Sequence, residues 1–249
     1  MGKTRTIEVR ESILADNAAS AAGLRAVLEK GGCVAVNVMG SPGSGKTTLI
    51  LATIARLGGG HRAAVIEADL DSSVDADLIR SAGYDAVQLH TGGFCHLDAS
   101  MTAEGFAALG FRGLGAAEPA DGSPHAPPPA APDSAAPYDL VFVENVGNLI
   151  CTAEVDIGSR LNLALLSLPE GDDKPLKYPV MFRAADVVLV TKRDFSSVQE
   201  FDLEEFERRV KFLNPGASIF ALSARTGEGM EAWLGFLREV LERRAGRPS

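Results

Sequence analysis

The stretch Gly40-Ser-Pro-Gly-Ser-Gly-Lys-Thr47 decides the fold. It fits G-x-x-x-x-G-K-[ST], the spacing of a phosphate-binding loop. A loop that wraps a polyphosphate turns its backbone N–H groups inward, and residues without side chains permit that close approach. Gly43 and Gly45 supply the freedom. Lys46 would reach the terminal phosphates as a point charge, and Thr47 would offer its hydroxyl to Mg²⁺. The helix starting there adds its positive end. Ser44 and Thr48 complete the nucleotide-binding set of the loop. So short a pattern needs context, and the flanks provide it: Cys33–Met39 is an apolar, β-branched run suited to a buried strand, and Thr47–Leu57 is helix-like.

Working outward, Glu11–Lys30 places Ala18, Ala21, Leu24, Val27 and Leu28 at helical spacing. After the loop helix, Gly58-Gly59-Gly60 closes the unit and Ala63–Ala68 opens a second strand, a βαβ rhythm. Asp69-Leu-Asp71-Ser-Ser-Val-Asp75 follows, at the strand end where ligands of open α/β sheets gather. It reads either as a solvated loop with a helix cap or as a switch segment whose Asp75 holds Mg²⁺. Asp85–His90 predicts a third strand, followed by a helix ending near Leu109. Between Gly115 and Pro137, 15 of 23 residues are alanine or proline, a composition that cannot bury a core. A disordered excursion over about 113–137 is expected, with His125 incidental.

Tyr138–Glu144 restores a buried strand that ends in a carboxylate, where the Mg²⁺-binding acid of a phosphate-loop enzyme is expected. Glu144 is that candidate. Glu144-Asn-Val-Gly147 is E-x-x-G, one residue from the D-x-x-G segment whose glycine meets the γ-phosphate in GTPases. Leu161–Leu168 and Asp186–Val190 predict further strands, with a helix over about Pro179–Ala185 between them. Thr191-Lys192-Arg193-Asp194 then fits N/T-K-x-D, in which the acid takes the N1–H and exocyclic amine of guanine together. A site built to pair those donors rejects adenine because its own carboxylate is stranded. Ala217–Leu222 predicts the last strand, and Ser223-Ala224 offers a backbone N–H to the guanine oxygen. Helix Gly229–Arg244 closes the chain, with Trp233 in the core.

Composition bounds the rest. A net charge of −9 without a Lys/Arg cluster argues against a nucleic-acid or anionic-membrane partner. No apolar run reaches spanning length and no signal-peptide core opens the chain, so a cytoplasmic protein is expected. Three cysteines make no disulfide framework. Cys33 lies on a predicted strand and reads as core. Cys95 and His96 follow a strand at the nucleotide edge, and Cys151 lies just beyond Gly147. Thiolate, imidazole and thiolate suit a soft-to-borderline transition metal such as Ni²⁺ or Zn²⁺, although buried cysteines and a packing histidine would also satisfy the pattern. Adjacent residues on an extended chain point oppositely, so Cys95 and His96 need a turn, or two copies of the chain, to share an ion.

Gly40–Thr47, Cys95-His-Leu-Asp-Ala99, Glu144-Asn-Val-Gly-Asn-Leu-Ile-Cys151 and Glu170-Gly-Asp-Asp173 together resemble HypB, the nickel-inserting GTPase family of [NiFe]-hydrogenase maturation. The likeness runs from about residue 10 to the end, apart from the Ala/Pro segment. It implies a three-layer α/β/α phosphate-loop GTPase of SIMIBI type with a mostly parallel sheet. Residues 31–249 would form the G domain, with residues 1–30 a helical extension packed on it. It implies GTP/GDP with Mg²⁺ at Thr47, Asp75 and Glu144, and Ni²⁺ or Zn²⁺ at Cys95, His96 and Cys151. It also implies a homodimer on GTP, with the nickel chaperone HypA and the hydrogenase large-subunit precursor as partners. The chain departs from the family's pattern in lacking a cysteine-rich N-terminal motif and a histidine-rich stretch, so bulk nickel storage is not expected. It departs again in carrying Thr191 for the more usual Asn, with looser guanine binding the expected effect. Neighbouring readings are a urease-type GTPase, which should show a Cys-Pro-His motif, a cobalamin-enzyme GTPase, which would not need the Cys/His set, and a metal-binding module with little hydrolysis.

Overall fold

A computed structural model describes residues 9–69, 74–114, 136–198 and 200–245. The elements run α1 (Val9–Gly31), β1 (Val34–Gly40), α2 (Lys46–Leu57), β2 (Ala63–Asp69), α3 (Val74–Ser81), β3 (Asp85–His90), α4 (Ala99–Ala108) and β4 (Leu140–Glu144). Then follow α5 (Cys151–Glu154), β5 (Leu161–Ser167), α6 (Lys174–Lys177), α7 (Pro179–Ala184), β6 (Val187–Thr191), α8 (Leu203–Leu213), β7 (Ser218–Ala221) and α9 (Met230–Ala245). The strands form one seven-stranded sheet in the order β3-β2-β4-β1-β5-β6-β7, with every pairing parallel.

Parallel strands joined by crossover helices are covered on both faces, and their sequences are correspondingly apolar without alternation. β1, β4 and β6 are buried at every position, while the edge strands β3 and β7 are only partly covered. Side chains still alternate between the two faces. Val34, Val36 and Val38 pack with Leu49 and Ile50 of α2 and Trp233 of α9. Ala35 turns the other way, toward Leu24 and Leu28 of α1 and Phe106 of α4. On that same face Leu166 and Val190 meet Phe182 of α7 and Phe206 of α8. The result is a three-layer α/β/α fold. Trp233 is fully buried and donates its indole N–H to Thr53 Oγ1 at 3.0 Å, the core role its spacing predicts.

The excursion expected over about 113–137 falls mainly on 115–135, outside the described residues, and the described residues at its two ends are packed. Leu114 lies against the core, and Ala136 is buried, its N–H donating to Gly31 O at 3.2 Å. A small apolar residue in a biased segment fits wherever the chain must re-enter the sheet, so composition set that boundary too late. The sequence reading also passes over α8. Of its residues only Phe206 and Val210 are buried, and Asp202 caps it by accepting from Glu205 N at 2.9 Å. Such a thin apolar stripe on a charged helix gives little run-length signal.

The strands' C-terminal ends share one edge, bringing Gly40, Glu67, Glu144, Ser167 and Thr191 together there. Ligands of open parallel sheets bind at that edge, beside strands whose crossovers run in opposite directions. β1 lies between β4 and β5 at such a point.

Candidate nucleotide and metal sites

The phosphate loop leads straight from β1 into α2. Gly45 is the cap residue of that helix at φ 95°, a left-handed conformation that a side chain would strain, and its carbonyl accepts from Leu49 N at 2.9 Å. Lys46 is 8% exposed, with Nζ 3.5 Å from Ser41 O. Thr47 Oγ1 donates to Glu144 Oε1 at 2.9 Å. The other carboxylate oxygen, Glu144 Oε2, is buried without a hydrogen-bond partner. Burial pushes this carboxyl up to about 7, against the lowering pull of Lys46 and the Thr47 hydroxyl. Lys46, Thr47, Asp75, Glu144 and Gly147 line one open cleft of about 520 Å³. Asp75 enters it from the first turn of α3.

Sequence reasoning missed a second buried acid at this place. Glu67 on β2 stands in register with Glu144 on β4 and is 2% exposed. It lines the same cleft, and its Oε2 also lacks a partner. Burial, then the Glu144 charge, pushes it up to about 8. Two uncompensated carboxyl oxygens at the floor of a phosphate cleft make a donor set suited to a hard cation. The available signal was a glutamate inside the run Ala63-Ala-Val-Ile-Glu-Ala68, since ionisable residues are rarely buried without a partner.

The residues expected to read guanine gather beside the loop. Thr191 is buried and donates Oγ1 to Ser44 O at 2.6 Å, so this residue, at the position where Asn is more usual, still fastens its motif to the phosphate loop. Lys192, held at φ 59°, donates Nζ to Gly43 O at 2.6 Å. Asp194 Oδ1 accepts from Ser223 Oγ at 2.6 Å, and Ala224 follows Ser223 at the end of β7. That hydrogen bond, and then the Arg225 guanidinium, hold the Asp194 carboxyl below its ordinary value. Arg225 was not singled out from sequence.

A second tie to the loop runs through Glu170, quoted in the Glu170-Gly-Asp-Asp173 motif without a role. Ser41 Oγ donates to Glu170 Oε1, while Oε2 accepts from Ser167 N at 2.7 Å and Ser167 Oγ at 2.6 Å. Nearby, the ring of Pro42 lies against Gly147. A side chain at Gly147 would bring its Cβ to 2.8 Å from Pro42 Cγ.

Cys95, His96 and Cys151 form one cluster, with a ligand atom of each within 4.8 Å of the others. The Cys95 Sγ to His96 Nδ1 distance is 3.7 Å. Of the two routes open to adjacent ligands, the turn is the one taken: the chain bends at Cys95 and His96 themselves, directly after a turn in which Phe94 N donates to Thr91 O at 3.2 Å and Thr91 Oγ1 to Phe94 O at 2.7 Å. A second copy of the chain is not needed to gather the three. A hydrogen bond with Cys151, then burial, then the charge of the Cys151 thiolate raise the Cys95 thiol above its ordinary value. Two sulfurs and one imidazole suit Ni²⁺ or Zn²⁺, and three ligands leave a position open. Cys33 lies in the core. His125 lies outside the described residues.

Comparison with known proteins agrees with this fold. Residues 34–221 match the family model described as CobW/HypB/UreG, nucleotide-binding domain. The chain is 40% identical over 237 residues to the hydrogenase maturation factor HypB of Azotobacter chroococcum mcd 1, covering 95% of this chain and 70% of that one. The crystal structure of HypB from Archaeoglobus fulgidus superposes with a TM-score of 0.76 at 34% identity, covering 92% of this chain and 100% of that one. HypB from Helicobacter pylori, solved in complex with nickel, gives 0.78 at 36% identity over 92% and 96%. With a nucleotide-binding domain matched over residues 34–221 and a hydrogenase maturation factor aligned over 95% of its length, the chain belongs to the HypB family.

Proposed function

We propose that the protein is a low-turnover, Mg²⁺-dependent GTPase and nickel metallochaperone, coupling GTP binding and hydrolysis to nickel delivery during [NiFe]-hydrogenase maturation in the cytoplasm. One observation carries this reading. The segment that ends β4 with Glu144 beside Thr47 continues through Gly147, against the phosphate loop, to Cys151 of the metal cluster. Nucleotide and metal therefore meet on one short stretch of chain.

The residues divide the work as follows. Lys46 and the backbone N–H groups of Gly43, Ser44, Gly45, Thr47 and Thr48, that of Ser44 on leaving Ser41 O, stabilise phosphoryl charge. Thr47, Asp75 and Glu144, with Glu67 beside them, would hold Mg²⁺, which supplies charge neutralisation to the β- and γ-oxygens when bound. Among the described residues no histidine lines the cleft, and its carboxylates Glu67, Asp75 and Glu144 are given to Mg²⁺ in this reading. Catalysis by positioning and electrostatics follows, which suits slow turnover. Asp194 takes the guanine donors, with Lys192, Ser223 and Ala224 around the base. Cys95, His96 and Cys151 carry nickel as cargo, and zinc fits the same donors. Loss of the γ-phosphate frees Gly147 to move, and Cys151 with it, altering the ligand set. A complete shift of such a switch takes about 5.5 kcal/mol of differential binding, within reach of γ-phosphate contacts. A GTP-dependent homodimer, handing nickel on with HypA to the hydrogenase large-subunit precursor, completes the proposal.

The test is titration of Ni²⁺ and Zn²⁺ in GDP and in a non-hydrolysable GTP analogue, with sedimentation on the same samples. A dimer in the analogue and a metal affinity that differs between nucleotides are the expected results. Metal binding indifferent to nucleotide overturns the chaperone part and leaves a GTPase.

A further inference from the structure

The two arms of the metal cluster are fastened to the segment after Glu144 by two asparagines, and the fastenings differ in kind. Asn145 is buried at 1% exposure and belongs to the sheet. Its N–H donates to Val38 O at 3.1 Å, and its Nδ2 donates to Asn37 Oδ1 at 3.1 Å. Asn37 in turn donates to Asn162 Oδ1 at 3.0 Å, which ties Asn145 to β1 and β5. The remaining group, Asn145 Oδ1, accepts from Leu97 N at 3.2 Å, the residue next to His96. A buried polar network with its groups paired is rigid, because each member left unpaired would cost its full desolvation. The Cys95–His96 arm is thus pinned to the strands.

Asn148 holds the other arm and is tied to the phosphate loop instead. Its N–H donates to Gly40 O at 3.2 Å, at the point where β1 ends and that loop begins. Its Oδ1 accepts from Ile150 N at 2.7 Å and Cys151 N at 3.1 Å, and its carbonyl accepts from Thr152 Oγ1 at 3.0 Å. One residue therefore orients the Cys151 turn and rests on Gly40, while its neighbour Gly147 rests on Pro42. The arm otherwise packs through Leu149 and Ala153 against the α7 and α8 side of the core.

We infer that Asn148 is the positioning residue that carries the state of the phosphate loop to Cys151, while Asn145 keeps Cys95 and His96 in place. Cys151 is then the ligand that changes between nucleotide states. This rests on the nucleotide–metal coupling proposed above and names the residue that transmits it. An effector shifts an equilibrium only through contacts that differ between its states, and the Gly40 to Asn148 bond is the contact to which this inference gives that part.

The experiment measures the ratio of Ni²⁺ affinities in Mg²⁺–GDP and in the Mg²⁺–GTP analogue for the full chain and for Asn148→Ala and Asn148→Asp. The sulfur-to-nickel charge-transfer absorption is read in each state. Wild type is expected to show a ratio of about fivefold or more, within the usual range of coupling between sites, and a change in that absorption. Asn148→Ala should bring the ratio close to one while still binding Ni²⁺, and should fix the absorption in both nucleotides. Asn148→Asp keeps an oxygen for the Ile150 and Cys151 N–H groups and should restore both signals. A variant coupled like wild type overturns the role of Asn148 alone. A wild-type ratio of one overturns it together with the coupling on which it rests. An Asn148→Ala chain that no longer folds is recognised by loss of GDP binding. The Asp variant then decides: wild-type coupling in it supports the role, and an uncoupled, folded Asp variant overturns it.

Discussion

The Arg225 guanidinium closes on the Asp194 carboxylate, with Nε and Nη2 both meeting Oδ2 at 3.1 and 2.7 Å. Two N–H donors in a fork are what the edge of guanine would present to the same acid. A base entering this site has to displace Arg225 from Oδ2, while Ser223 stays on Oδ1. Arg225 is largely exposed, so the pair is a weak one. Arg225→Ala should therefore tighten GDP binding modestly, by up to about fivefold. A fluorescent GDP titration checks it, and weakened binding would show instead that Arg225 supports the bound base. Asp194→Asn should abolish the preference for guanine over adenine nucleotides in the same assay, since the donor pair loses its acceptor.

Glu67 and Glu144 give the nucleotide-free protein a defined pH dependence. Their ordinary value is 4.5, and in the fold they stand at about 8 and about 7. Between these limits the folded chain binds more protons than the unfolded one, so stability falls as pH rises. Their contribution is fully present below pH 4.5 and is lost as pH passes through 7 to 8. Without Mg²⁺ and nucleotide, the melting temperature should fall between about pH 6 and pH 8.5. Glu67→Gln, neutral at every pH, should flatten that fall and melt on the order of 5 °C above wild type at the alkaline end. An unchanged slope in a thermal scan would show that Glu67 is not protonated there.

Glu170 fastens the phosphate loop through Ser41, and Ser41 O lies within reach of Lys46 Nζ. Removing a carboxylate that accepts several hydrogen bonds costs about 1.5–3 kcal/mol per charged bond lost. Glu170→Ala should weaken GDP binding about tenfold or more and lower turnover with it. Equilibrium titration and phosphate release on the same preparation give both numbers. Glu170→Gln keeps one acceptor and should fall between wild type and the alanine variant.

Trp233 fills the centre of the face that α2 and α9 share, and it is fully buried. Trp233→Ala should cost about 3–5 kcal/mol in a denaturant melt, from lost packing and from the Thr53 hydroxyl left without its donor. Trp233→Phe removes mainly the hydrogen bond and should cost about 1 kcal/mol.

Much of this was legible from residue order. Gly40–Thr47 needs its glycines and its lysine whatever surrounds it, because backbone N–H groups can wrap a phosphate only where side chains are absent. The continuous apolar runs at Val34, Leu140, Leu161 and Val187 could only be strands covered on both faces, which gives a parallel sheet and the edge where its ligands gather. Glu144, at the end of β4, and Asp194, just beyond β6, were singled out by those places.

What the order of residues could not decide is which distant groups share a hydrogen bond or a cavity. Glu67 becomes part of the cleft only because β2 and β4 pair in register. Arg225 meets Asp194 only because β7 lies beside β6. The bend at Cys95 and His96 brings both to one cluster with Cys151, where an extended chain would have sent them apart. The asparagines at 145 and 148 are ordinary loop residues in the sequence, and the fold alone ties one to the sheet and the other to the phosphate loop. Local chemistry depends on residue type and near spacing, which a sequence states outright, whereas coupling between sites depends on packing across strands that lie far apart along the chain.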